Sequence, residues 1–155
     1  MNAEHINILL ADDDTDDCIF FEQALAELKL PMNFTAVHDG EQLMKQLAIK
    51  ENPLPTVLFL DLNMPRKNGF ECLVEIKASE ILFSLPVIIF STSFEQEVVN
   101  RLYDNGAQYY IRKPVSFAMF KTIIRQTFFN IIVPQNILQP DREDFVVNLQ
   151  TAAYE

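Results

Sequence analysis

Apolar positions in this chain fall into short runs that alternate with stretches spaced like one face of a helix. Ile6 to Ala11, with the apolar run Ile8-Leu9-Leu10-Ala11 at its end, predicts a buried strand. Residues 15–29 place Phe20, Phe21, Ala24, Leu25 and Leu28 on one helical face, and Pro31 follows the end of that helix. Residues 34–37 predict a second strand. Asp39-Gly40 turns the chain into a helix with Leu43, Met44 and Leu47 inward. After the linker Pro53-Leu54-Pro55 come a third strand, 56–60, a loop through Gly69 and a helix, 70–78. Pro86 opens a fourth strand, 87–90, which runs into Ser91-Thr92-Ser93. A helix over 95–105 closes at Gly106, which suits a left-handed cap. Residues 108–112 are a fifth strand, and Ser116 caps a last helix carrying Phe117, Phe120, Ile123, Ile124 and Phe128. Five strand–helix pairs whose strands are apolar on both faces predict an α/β domain, a doubly wound parallel sheet with helices on both faces.

Composition narrows the class. A chain of 155 residues with 49 % hydrophobic content is one ordinary domain with a real core. No apolar stretch approaches the roughly 20 residues that span a bilayer. The first residues lack a basic and cleavable apolar segment, so the expected location is cytoplasmic. Cys18 and Cys72 lack metal-type spacing and suit reduced core thiols. A formal net charge of −10 argues against contact with nucleic acid and favours cations or basic partners. The domain is expected over residues 4–130. Residues 131–155 are expected to form a C-terminal extension with no separate output domain. Phe145-Val146-Val147 in it either packs back on the domain, pairs with another chain, or belongs to a loose terminus.

The first strand ends in five carboxylates within six positions, Asp12, Asp13, Asp14, Asp16 and Asp17. Asp14, Asp16 and Asp17 suit the positive end of the following helix. Asp12 and Asp13 sit against the strand, where mutual repulsion calls for a hard cation. In an open parallel sheet, ligands bind outside the carboxyl ends of the strands. Asp12-Asp13, Asp61, Ser91 and Lys113 each terminate an apolar strand and open onto that one edge. Taken singly, Asp61 suits a turn, Ser91 a helix cap and Lys113 a solvated surface. Together they suit phosphoryl chemistry. Asp13, Asp61 and the Asn63 backbone carbonyl are candidate Mg2+ ligands, with Asp12 acting directly or through water. Asp61 is the candidate nucleophile, and Ser91 and Lys113 suit the transferring oxygens.

On these residues the chain resembles the receiver domain of two-component response regulators, in its stand-alone, chemotaxis-type form. Asp61-Leu62-Asn63-Met64-Pro65-Arg66-Lys67-Asn68-Gly69 is similar to the family's phosphoacceptor loop, and Asp12-Asp13 to its acidic pair. Ser91 stands at the family's serine or threonine. Lys113-Pro114 is similar to its lysine–proline pair, usually joined by a cis bond. Tyr110 stands at its aromatic switch position. The resemblance runs from about Ile6 to Phe129. It implies a flavodoxin-like strand order 2-1-3-4-5, and Asp61 taking a phosphoryl group from a phosphohistidine on a sensor histidine kinase or phosphotransfer protein. It implies Mg2+ held by Asp12, Asp13, Asp61 and the Asn63 carbonyl. It also implies a Ser91–Tyr110 switch that remodels the helix 4–strand 5–helix 5 surface. Asp14 departs from the commonest pattern, capping the helix or tuning the metal. Arg66-Lys67 and the tail are candidate partner contacts, a homodimer is left open, and neither nucleic acid nor membrane is expected.

Two other functions fit less well. A pseudo-receiver keeps the fold without accepting phosphate, and the intact set of Asp12, Asp13, Asp61, Ser91 and Lys113 argues against it. An aspartyl-phosphate phosphohydrolase needs an acid two residues beyond its nucleophile, and that position is Asn63. The expected protein is therefore a regulator and not an enzyme acting on other substrates.

Overall fold

The computed structural model describes residues 5–134 and 137–147. Five strands, β1 (Ile6–Ala11), β2 (Met32–Val37), β3 (Val57–Leu60), β4 (Val87–Ser91) and β5 (Tyr109–Arg112), form one parallel sheet in the order β2-β1-β3-β4-β5. The helices are α1 (Thr15–Ala26), α2 (Gly40–Ala48), α3 (Gly69–Ala78), α4 (Gln96–Asp104) and α5 (Phe117–Thr127). The strand order reverses at β1 and β3, which lie side by side in register from Ile8 opposite Val57 to Ala11 opposite Leu60. Asp12 and Asp61 are the next residues on those two strands, so register alone sets them at the same edge.

Each face of the sheet has its own core. On one, Leu9, Leu58, Leu60 and Ile89 pack with Leu43, Leu73, Ile76 and Leu102 from α2, α3 and α4. On the other, Ile8, Leu10, Phe59 and Phe90 pack with Phe21, Leu25, Phe120 and Ile124 from α1 and α5. Phe21 is central there, edge-on to Phe59 at 4.8 Å and to Phe90 at 5.6 Å between ring centroids. Burying each such ring contributes about 2–3 kcal/mol, and each edge-to-face pair adds about 0.5–1.5 kcal/mol.

Some boundaries differ from the sequence pattern. Helix α1 stops at Ala26, not residue 29, because Lys29 turns into the left-handed region at φ 55° ahead of Pro31. Strand β2 starts at Met32, two residues early. Its alternating burial marks an edge strand, and exposed Asn33 interrupts the apolar run while staying paired. Beyond α5 the chain continues as a π-helical stretch, Phe128–Ile132. Gly106 has the expected left-handed conformation, φ 96°.

The tail packs back on the domain, along the free edge of β5. The Tyr110 N–H donates to the Phe145 carbonyl at 3.0 Å, and the Val147 N–H donates to the Tyr110 carbonyl at 2.8 Å. Phe145 is 1 % exposed, with its ring 5.2 Å from Tyr103 and 6.4 Å from Tyr110. The Tyr103 hydroxyl donates to the Pro140 carbonyl at 2.7 Å, and the Gln139 amide to the Tyr103 and Ala107 carbonyls. Among the described residues no helix is long and apolar enough to cross a membrane.

Candidate functional site

The carboxyl edge of the sheet gathers Asp12, Asp13, Asp61, Ser91 and Lys113. Asp12 follows β1 and is fully buried, its N–H held by the Val37 carbonyl at 3.0 Å. Its Oδ1 accepts the Asp14 N–H at 3.0 Å, which turns the chain toward α1. Asp14 then caps α1, accepting the Asp17 N–H at 3.1 Å. Asp61 follows β3, with its N–H on the Ala11 carbonyl at 2.9 Å and its Oδ1 accepting the Leu62 N–H at 2.8 Å. The loop beyond it closes tightly: a β-carbon at Gly69 would stand 2.2 Å from the Asp61 carbonyl oxygen, so only glycine fits. Arg66 in that loop is left-handed at φ 68°, with Nε 3.5 Å from the buried Asp39 carboxylate. Lys67 pairs with Glu75. Both basic residues are thus engaged within the chain.

Lys113 crosses from β5 into this edge. Its Nζ lies 2.6 Å from Asp12 Oδ2, 2.8 Å from Asp17 Oδ2 and 3.6 Å from Asp61 Oδ2. It is a buried lysine, not a solvated one. The Lys113–Pro114 peptide is trans, where the resemblance implied cis; trans is the isomer X–Pro bonds favour by about 0.5–1 kcal/mol. Asp17 is the contact that the sequence pattern did not reveal. The helix-dipole reading accounted for it as a first-turn acid, and only the fold brings it to Lys113.

Burial raises the Asp61 carboxyl to about 7, against the pull of Lys113 and with a push from Asp12. Burial also raises Asp12, with Lys113 opposing. Burial pulls Lys113 down, but Asp12 and Asp61 more than offset it, and the ammonium titrates above its ordinary value. Four carboxylates, Asp12, Asp13, Asp17 and Asp61, face one ammonium. That imbalance suits a further cation. Asp12, Asp13 and Asp61 each offer an oxygen within 4.8 Å of the others. Oxygens on one magnesium ion lie at most about 4.2 Å apart, so small side-chain rotations close the set.

Ser91 is fully buried at the end of β4, with its hydroxyl 3.3 Å from that of Ser93. The Asn63 amide donates to Ser93 Oγ at 3.3 Å across the mouth of the site. Tyr110 lies inside the fold, 1 % exposed, and its hydroxyl donates to the Ser93 carbonyl. A cleft of 340 Å³ is bordered by Asn63, Asn68, Phe70, Ser93, Arg101 and Tyr110, between the loop after β3 and α4. Cys18 packs against the Asp12 carbonyl at 3.6 Å, and burial pushes its thiol up to about 12, which favours the protonated form.

A parallel 2-1-3-4-5 sheet with an acidic pair, a third aspartate, a serine and a lysine at its carboxyl edge defines a signal-receiver module. The chain belongs to the response regulator receiver domain family, whose model matches residues 8–125. It is 30 % identical over 122 residues to the probable methanogenesis regulatory protein FilR2 of Methanothrix harundinacea, covering 77 % of this chain and 79 % of that one. It is 30 % identical over 110 residues to response regulator Rcp1 of Synechocystis, covering 68 % and 75 %. The crystal structure of the phosphorylated cyanobacterial phytochrome response regulator RcpA superposes with a TM-score of 0.77 at 30 % identity, over 81 % of this chain and 92 % of that one.

Proposed function

We propose that this protein is the phosphoaccepting module of a two-component phosphorelay. One observation carries the reading: Asp61 ends its strand with the Lys113 ammonium 3.6 Å away and the Asp12 and Asp13 carboxylates beside it. An ionised Asp61 oxygen attacks the phosphorus of a phosphohistidine on a sensor histidine kinase or phosphotransfer protein. The N–P bond breaks as the O–P bond forms. The electron pair returns to the imidazole nitrogen, which then takes up a proton. Lys113 and the Ser91 hydroxyl donate to the transferring oxygens. A Mg2+ ion held by Asp12, Asp13, Asp61 and the Asn63 backbone carbonyl would neutralise charge on those oxygens. The relative RcpA, named as phosphorylated, supports the same chemistry here.

The output follows from Ser91 and Tyr110. Ser91 moves toward the phosphoryl group, and Tyr110 on β5 reports that shift to the α4–β5–α5 surface. The domain of residues 4–130 carries the chemistry. It acts in the cytoplasm by docking on a protein partner, not as an enzyme on other substrates. Asn63, its amide turned to Ser93, carries no proton for a leaving group, which disfavours a phosphohydrolase. Incubation with acetyl phosphate and Mg2+ followed by intact-mass measurement tests the reading. One added phosphoryl group, lost in Asp61→Ala, is expected. No label, under conditions that label a control receiver, would overturn it in favour of a pseudo-receiver.

A further inference from the structure

We infer that Asp17 is a positioning residue that restrains Lys113 in the resting protein, so that the phosphoryl group on Asp61 must draw the ammonium away from it. The inference rests on the phosphoacceptor reading of Asp61 and adds to it a residue of α1. The Asp17 N–H is tied to the Asp14 carboxylate at 3.1 Å, which fixes Asp17 in the first turn of α1. From there Oδ2 accepts a hydrogen bond from Lys113 Nζ at 2.8 Å. Asp12 accepts another at 2.6 Å, whereas Asp61 lies at 3.6 Å, beyond hydrogen-bond reach. The ammonium is thus drawn to the α1 side of the pocket.

Burial gives this pair more weight than a surface ion pair. The Lys113 side chain is 5 % exposed and that of Asp17 21 %, so water screens their attraction poorly. Lys113 also has little freedom to wander, with Phe90 5.5 Å below it and Asp12 beside it. Asp17 stands apart from the Asp12, Asp13 and Asp61 set that converges as metal ligands. Its direct partner is Lys113. Removing the Asp17 charge leaves the ammonium freer to engage phosphoryl oxygens and lessens the repulsion that an incoming anion meets.

The test uses the full chain as wild type, Asp17→Asn, Lys113→Ala and the double variant, with Asp17→Ser as a second probe should Asn perturb folding. Beryllofluoride affinity and acetyl phosphate labelling rate are measured at saturating Mg2+, and Mg2+ affinity separately by calorimetry. Asp17→Asn is expected to tighten beryllofluoride binding and speed labelling about fivefold, with a smaller change in Mg2+ affinity. The gain is expected to vanish in the Lys113→Ala background. Unchanged or slower labelling by both Asp17 variants overturns the inference. So does an equal gain without Lys113, which would mark a general charge effect. Wild type that takes neither phosphate nor beryllofluoride overturns the phosphoacceptor reading itself, an outcome distinct from a labelled wild type that Asp17→Asn leaves unchanged.

Discussion

The two ends of the sheet are built from the same apolar strands and differ in what caps them. At the amino end, neutral groups satisfy one another. The Asn7 N–H donates to Thr56 Oγ1 at 2.9 Å, the Thr56 N–H returns to the Asn7 carbonyl at 2.8 Å, and the Asn33 amide donates to Asn7 Oδ1 at 2.8 Å. The cleft there, 220 Å³, is lined by Asn7 and Asn33 with Leu47, Ile49 and Leu54, and among the described residues no ionisable group lines it. At the carboxyl end, buried Asp12, Asp61 and Lys113 stand together, with Asp13 and Asp17 close by. Neutral pairs complete a fold at little risk. Buried charges are costly unless paired, and here acids outnumber the ammonium. The first end is finished as it stands, while the second gains from whatever cation and anion it binds.

The sharpest way to break this contrast is Asp61→Ala, expected to abolish labelling by acetyl phosphate while circular dichroism shows the fold intact. Lys113→Ala is expected to slow labelling about 10²-fold, the cost of one preorganised donor to a developing charge, with a smaller effect on Mg2+ affinity. Asp13→Ala is expected to weaken Mg2+ binding at least about tenfold, or 1.4 kcal/mol, and to raise the melting temperature of the metal-free protein by relieving carboxylate crowding. Calorimetry that finds wild-type Mg2+ affinity would remove Asp13 from the ligand set.

A pH series sharpens the same point. An ordinary aspartate titrates at 3.8, and Asp61 in the fold at about 7, because burial opposes its charge. Between those values the folded state holds a proton that the unfolded chain has lost. Its contribution to stability is therefore present at low pH and disappears as pH rises from about 4 through about 7. Thermal melts in chelator should show that decline, and Asp61→Asn should reduce it, leaving the part that buried Asp12 contributes. The smallest effect belongs to the other end: Asn33→Ala is expected to cost about 1 kcal/mol or less and to leave labelling unchanged.

Much of this arrangement was legible from residue order. Apolar runs on both faces identified β1, β3 and β4, and each buried polar residue of the site follows or ends such a run, as with Asp12, Asp61 and Ser91. Local chemistry announced the cap at Ser116 and offered capping as one of two roles for Asp14, while Asp39, which caps α2, was marked only as part of a turn. What stayed hidden depends on distance in the chain. Asp17 and Lys113 are 96 residues apart, and nothing near either one signals the other. The start of β2 was obscured because an edge strand tolerates polar outward positions such as Asn33. The seating of Phe145 against Tyr103 and Tyr110 was open for the same reason: a short apolar triplet in a polar tail does not name its partner.

That seating has a consequence for how the molecule behaves among its own copies. A terminal strand with unpaired amide and carbonyl groups is a template on which another polypeptide can crystallise a ladder. Here both main-chain groups of Tyr110 are already occupied by Phe145 and Val147. At that position the edge offers no free main-chain pair, so another polypeptide adding a strand to β5 would have to displace Phe145 and Val147 there.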